Sequence, residues 1–149
     1  MSLIEKIDQD IKKAMLAKQE STLRALRAVK AALLLARTEK GASDVLTEEA
    51  EIKVLQKLIK QRKESADIYK TQNRDDLYQI EIDELQVIEV YLPQQMERAE
   101  VEQRIKQLIV DLGATSIKEM GKVMGAANKE LAGKADGKTI SEVVKQLLS

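Results

Sequence analysis

Between Gly113 and Lys138 the chain reads GATSIKEMGKVMGAANKELAGKADGK, and its glycines and lysines crowd together there. Five of the six glycines fall in this stretch, at 113, 121, 125, 133 and 137, with lysines at 118, 122, 129, 134 and 138. Ammonium groups beside bare main chain suit one kind of chemistry: charge contact with phosphate oxygens and close approach of a ligand backbone. Bond making finds less to work with. No cysteine and no histidine occur in the 149 residues. That removes disulfides, thiolate nucleophiles, the usual Cys/His zinc sites and imidazole acid–base catalysis. There is no phosphate-binding P-loop, no GxSxG, no Ser-x-x-Lys pairing and no metal-ligand cluster. No catalytic residue, cofactor or metal is therefore assigned.

An element must hold these groups, and the spacing predicts a helix over about 117–131. Ser116-x-x-Glu119 has the form of a capping box, and Gly113 and Gly133 suit the left-handed position that ends a helix. At roughly 100° per residue, Ile117, Met120, Val123, Met124, Ala127 and Leu131 share one arc. Lys118, Lys122 and Lys129 lie within roughly 40° of each other on the opposite side. Gly121 and Gly125 fall between. Each mid-helix glycine costs about 1 kcal/mol relative to alanine, which calls for a reason. Close packing of another helix is the preferred one; close approach of a ligand backbone is the other.

The rest of the chain reads as helix as well. Aromatic residues are nearly missing, with three tyrosines and no Phe or Trp, so the core is aliphatic and suits helices packed on helices. Leu3, Ile4, Ile7, Ile11, Ala14 and Met15 give a first amphipathic helix over 2–18. Ser21 is placed to cap a second, running to about Glu39 and stopped by Gly41. Thr47, before Glu48 and Glu49, opens a third that buries Ile52, Leu55, Ile59, the stem of Arg62, Ala66 and Tyr69. Leu77 to Leu92 makes a fourth.

The third helix carries Lys53, Lys57, Lys60, Arg62 and Lys63 with no acid between them, and the fourth carries Glu81, Asp83, Glu84 and Glu89 with no base. An antiparallel hairpin about residue 73 sets Lys57 level with Glu89 and Lys63 with Asp83. Internal charge pairing is preferred here over nucleic-acid binding, at only about 0.2–1 kcal/mol per exposed pair.

Pro93, the only proline, ends the fourth helix and marks a shift to Gly/Lys-rich composition. Val101, Ile105, Leu108, Ile109 and Leu112 then form one helical face. Thr139-x-x-Glu142 has the form of a second capping box, opening a last helix with Ile140, Val143, Val144, Leu147 and Leu148 inward. The expected fold is all-α: a four-helix N-terminal domain, 1–92, followed by a small three-helix bundle, 93–149. No segment approaches the roughly 18 apolar residues of a membrane span and the N-terminus has no signal-peptide core, so a cytoplasmic protein without membrane partners is expected.

Tyr91-Leu92-Pro93, MGKVMGAANKELAGKADGK (120–138), the VVKQLL ending, KQRKES (60–65) and the turn holding Arg74 together resemble the YqeY family over nearly the whole chain. The resemblance implies two all-helical domains. It also implies that the second is similar to the tail domain of the B subunit of the tRNA-dependent amidotransferase, a glutamine-dependent carbon–nitrogen ligase. In that enzyme the tail contacts tRNA, while the chemistry lies in a cradle domain that nothing here resembles. The residues carried over are Lys118, Gly121, Lys122, Gly125, Lys129, Gly133, Lys134, Asp136, Gly137 and Lys138, with phosphate contact and close backbone approach as their role.

Three functions follow from these residues. One is a non-catalytic module binding tRNA or another structured RNA, with amidotransferase subunits as further partners. For it, the Lys134/Lys138 loop stands before a helix N-terminus able to receive phosphate. The alternative is a protein–protein adaptor, docking a partner helix on the glycine face or the Met120/Met124 surface. A ligase acting alone is the least favoured.

Overall fold

The computed structural model describes residues 2–39 and 45–149. The described residues form seven α-helices and no strand, as the aliphatic periodicity requires. The chain divides into two compact units, Met1–Leu92 and Pro93–Ser149, each with a hydrophobic core of its own.

In the first unit, α1 (Leu3–Leu16) begins with a capping box at Ser2. The Glu5 N–H donates to the Ser2 hydroxyl, and the Glu5 carboxylate accepts from the Ser2 N–H. Helix α2 (Glu20–Glu39) starts one residue before Ser21, so Ser21 lies in its first turn and does not cap it. The expected stop at Gly41 lies outside the described residues. Thr47 caps α3 (Glu48–Thr71) as expected, its hydroxyl accepting from the Ala50 N–H. Asn73, at φ 58, turns the chain into α4 (Asp75–Glu89). That helix ends three residues before the expected Leu92, because tight turns from Tyr91 N to Ile88 O and Leu92 N to Glu89 O already close it.

The core joins Ile7 and Ala14 of α1, Leu26, Val29 and Leu33 of α2, Leu55 and Ile59 of α3, and Leu85 and Ile88 of α4. Next to it sits a charged cluster. Glu84 is buried, with Arg24 Nε 2.8 Å from one carboxylate oxygen and Arg62 Nε 3.3 Å from the other. One carboxylate thus ties α2, α3 and α4. Arg62 opposite Glu84 is the expected hairpin register. The expected lysine pairs are not formed, however: among the described residues neither Lys57–Glu89 nor Lys63–Asp83 is an ion pair, and Lys53 reaches only Glu49, at 3.9 Å. Leu55, Ile59, Arg62 and Ala66 recur at helical spacing and face inward. Lys53, Lys57 and Lys60 stand roughly 150° from the centre of that arc, and Lys63 roughly 70°. Arginine on the seam, not lysine off it, makes the pairing.

In the second unit, α5 (Arg98–Leu112) ends at Gly113, whose φ of 65 is the left-handed geometry expected of it. A 3-10 turn, Ile117–Glu119, leads into α6 (Met120–Glu130), and α7 (Gly137–Leu148) follows. Val101, Ile105, Val123, Ala127, Leu131, Ile140, Val143, Val144 and Leu148 form the core, and Met120 and Met124 pack against it. Ile117 does not; it is 44% exposed.

Candidate nucleic-acid interface

Neither expected capping box of the second unit forms, and both departures change the site. At the first, the Glu119 N–H is taken by the Ser116 carbonyl in the 3-10 turn, and the Ser116 hydroxyl makes no cap bond. The Glu119 carboxylate accepts instead from the Thr115 N–H. A 3-10 turn advances about 120° per residue, which carries Lys118 roughly 40° round from its place on a continuous α-helix. It then lies in line with Gly121 and Gly125, while Lys122 and Lys129 both run along one side of that strip.

At the second, the helix starts earlier than Thr139. Asp136 is the N-cap, its carboxylate accepting from the Thr139 N–H at 2.7 Å. A carboxylate satisfies an unpaired donor and suits the positive end of the helix. The N-terminus of α7 therefore already carries an anion of the chain itself, which takes the Thr139 N–H. Gly137 and Lys138 belong to the first turn of α7, both exposed.

The four carried-over glycines separate into two kinds. Gly133 is buried, sits at φ 76, and its carbonyl accepts from the Gln95 side-chain amide. It serves an internal turn and is not a surface for close approach. Gly121, Gly125 and Gly137 are exposed, and a Cβ at any of them would meet nothing within 4 Å. Packing of another helix inside the unit, the preferred reading of Gly121 and Gly125, is therefore not what they serve. They leave a bare strip on the solvent side of α6.

The lysines also differ among themselves. Lys122 Nζ lies 3.5 Å from the Leu112 carbonyl, where a cation suits the negative end of α5. Lys118, Lys129, Lys134 and Lys138 are exposed and form no ion pair among the described residues. Lys134 lines a cavity of about 370 Å³ with Gln94, Gln95, Met96, Arg104 and Leu131 among its walls. Its rim is held by the Met96 N–H donating to the Lys134 carbonyl and by an Arg104–Glu130 ion pair. Gln95, to which no sequence motif points, anchors the chain entering α5 by donating to both Pro93 and Gly133 carbonyls. Met120 and Met124 are half-buried against the core, so the Met120/Met124 surface does not offer the exposed docking face considered for it. Among the described residues no group of three or more acidic side chains is placed to hold a metal ion.

The chain matches the model of the Yqey-like protein family over residues 4–148. It belongs to that family. Among curated relatives, a protein named altered inheritance of mitochondria protein 41, mitochondrial, from Kluyveromyces lactis is 33% identical over 140 residues, covering 92% of this chain and 71% of that one. The protein of the same name from Clavispora lusitaniae is 35% identical over 91 residues, 61% of this chain. That match takes in 52% of the relative, about half its length. The one from Pyrenophora tritici-repentis is 25% identical over 149 residues, 98% of this chain and 81% of the relative. Their names place those fungal proteins in the mitochondrion. Among the described residues of this family member, no helix is long and apolar enough to cross a membrane.

Proposed function

We propose that the chain is a non-catalytic RNA-binding accessory module, cytoplasmic, whose contact surface is the outward side of α6. Its family resemblance associates it with glutamine-dependent amidation on tRNA. The observation that carries the reading is the open strip at Gly121 and Gly125 beside Lys118, Lys122 and Lys129. Glycines that pack against nothing in their own unit keep a helix surface bare, so a sugar–phosphate backbone can approach while the lysines meet its phosphates. With no Phe or Trp in the chain and its three tyrosines all before Pro93, recognition at this surface is by shape and backbone, not base stacking. The same strip also accepts a partner helix, which keeps the adaptor as the second reading.

A salt titration of tRNA binding tests the proposal. Each phosphate contact on a flexible strand contributes about −0.7 to the slope of log affinity against log salt. Replacing Lys118, Lys122 and Lys129 with Ala is expected to flatten the slope by about two units while the helical circular dichroism is kept. No salt-dependent binding by the wild type would give first place to the adaptor.

A further inference from the structure

The expectation that the α3 lysines are neutralised by α4 does not hold, and its failure leaves a charged surface with no assigned use. Among the described residues Lys57, Lys60 and Lys63 are exposed and make no ion pair. Arg62, the one base of this run on the seam, is drawn inward to Glu84 and to the Leu58 carbonyl. Between Lys53 and Lys63 there is no acid on any side of the helix. We propose that the outward face of α3, formed by Lys53, Lys57 and Lys60 with the exposed Lys63 at its edge, is a second phosphate-binding surface that takes a single-stranded RNA backbone.

The shape of the stripe selects the partner. At 1.5 Å per residue, Lys53 to Lys63 spans about 15 Å along a straight rod. Over that length the charges wind about 120° round the helix, a row of point charges suited to a flexible polyanion with repeating charges. Gln61 is also exposed within the row, and Gln56 is half-buried beside it; their amides can hydrogen-bond phosphate or sugar oxygens. No large apolar side chain stands in it: Val54, Leu55, Leu58 and Ile59 are buried or half-buried against the core. An interfacial membrane helix needs an apolar face free to enter the lipid, and the apolar face of α3 is already committed to the unit's own core. Glu64 and Asp67 close the row at its lower end, which limits the contact to a few phosphates and makes the surface weak and salt-sensitive.

This proposal shares the ligand class of the α6 reading but not its residues, so separate variants judge the two. The probe is a short unstructured polyuridine oligonucleotide, titrated with salt against the full chain. Lys57→Gln, Lys60→Gln and Lys63→Gln together are expected to keep the circular dichroism and flatten the salt slope by about two units. The matching triple change to Arg keeps charge and slope. If the Gln variant binds with the wild-type slope, the α3 proposal is overturned. If the Lys118/Lys122/Lys129→Ala variant alone abolishes binding, α3 falls; if the Gln variant alone abolishes it, α3 stands, and α6 is judged separately by its tRNA titration. Failure of the wild type to bind the oligonucleotide, or binding only to vesicles of anionic phospholipid, overturns α3 in either case.

Discussion

Helices α3 and α6 both turn lysines to solvent, yet they are built in opposite ways. Helix α3 is 24 residues long, contains no glycine, and is pinned through Arg62 to the buried Glu84, which Arg24 reaches from α2. Its lysines ride on a helix that would form whether or not anything bound them. Helix α6 is 11 residues long, starts from a 3-10 turn, and keeps two glycines whose side-chain space is empty. Those glycines cost about 2 kcal/mol of helix stability together, and no contact inside the unit offsets it. A surface that comes at no cost to the fold and a surface kept at a cost call for different mutational signatures.

The largest expected effect lies under α3. Glu84→Ala removes the carboxylate shared by two guanidinium groups, and Arg62, whose side chain is only 13% exposed, is left with a buried and unpaired charge. Loss of one partner of such a cluster costs about 3 kcal/mol, to be read as a lower urea midpoint for the first unit. A loss under about 0.5 kcal/mol would mean that the anchor does not set α3 and that the contrast with α6 is false. Next in size, Gly121→Ala and Gly125→Ala are each expected to stabilise the second unit by about 1 kcal/mol, since the new methyl has room and helix propensity rises. The same changes are expected to weaken tRNA binding. Greater stability with unchanged binding would remove the close-approach argument and leave the lysines to carry the proposal.

Most of the fold is legible in the sequence because it rests on periodicity. The inward arcs of α3, α5 and α7, that of α1 except Met15, which is 54% exposed, the cap at Thr47 and the left-handed Gly113 follow from spacing and residue type. What spacing does not reveal is which of several competent groups wins a local competition. Ser116 and Thr139 both match the capping-box pattern, but a 3-10 turn takes the first and Asp136 displaces the second by charge and position. Ser2-x-x-Glu5 carries the same pattern and does form the box. At the candidate site, the pattern gives Gly133 its left-handed turn but not its burial, where Gln95 arrives from 38 residues away, and it misses the 3-10 turn that shifts Lys118. The hairpin register is legible; that an arginine and not the lysines occupies its seam emerges only when the inward arc is weighed against the charge count.

The smallest effect bears on the acids of α4, which the charge count sets against the lysines of α3. The Glu81 carboxyl is held above the usual glutamate range, first by partial burial and then by repulsion from Glu84, with Arg62 and Arg24 pulling less strongly the other way. An acid whose folded pKa is raised favours the folded state when protonated. Its contribution is fully present below the unfolded pKa, about 4.3, and is lost as pH rises through the raised folded value. At neutral pH the charged Glu81 is therefore a mild liability. Glu81→Gln is expected to stabilise the first unit at pH 7 by no more than about 0.5 kcal/mol, since solvent screens a group this exposed. The gain should shrink to nothing as pH falls below about 4, followed by urea midpoints of both proteins across that range. If Glu81 instead served as counter-charge to the α3 lysines, the substitution would destabilise at pH 7 and the loss would fade with added salt. That outcome would return the lysines of α3 to the internal charge balance of the fold and take the RNA surface away from them.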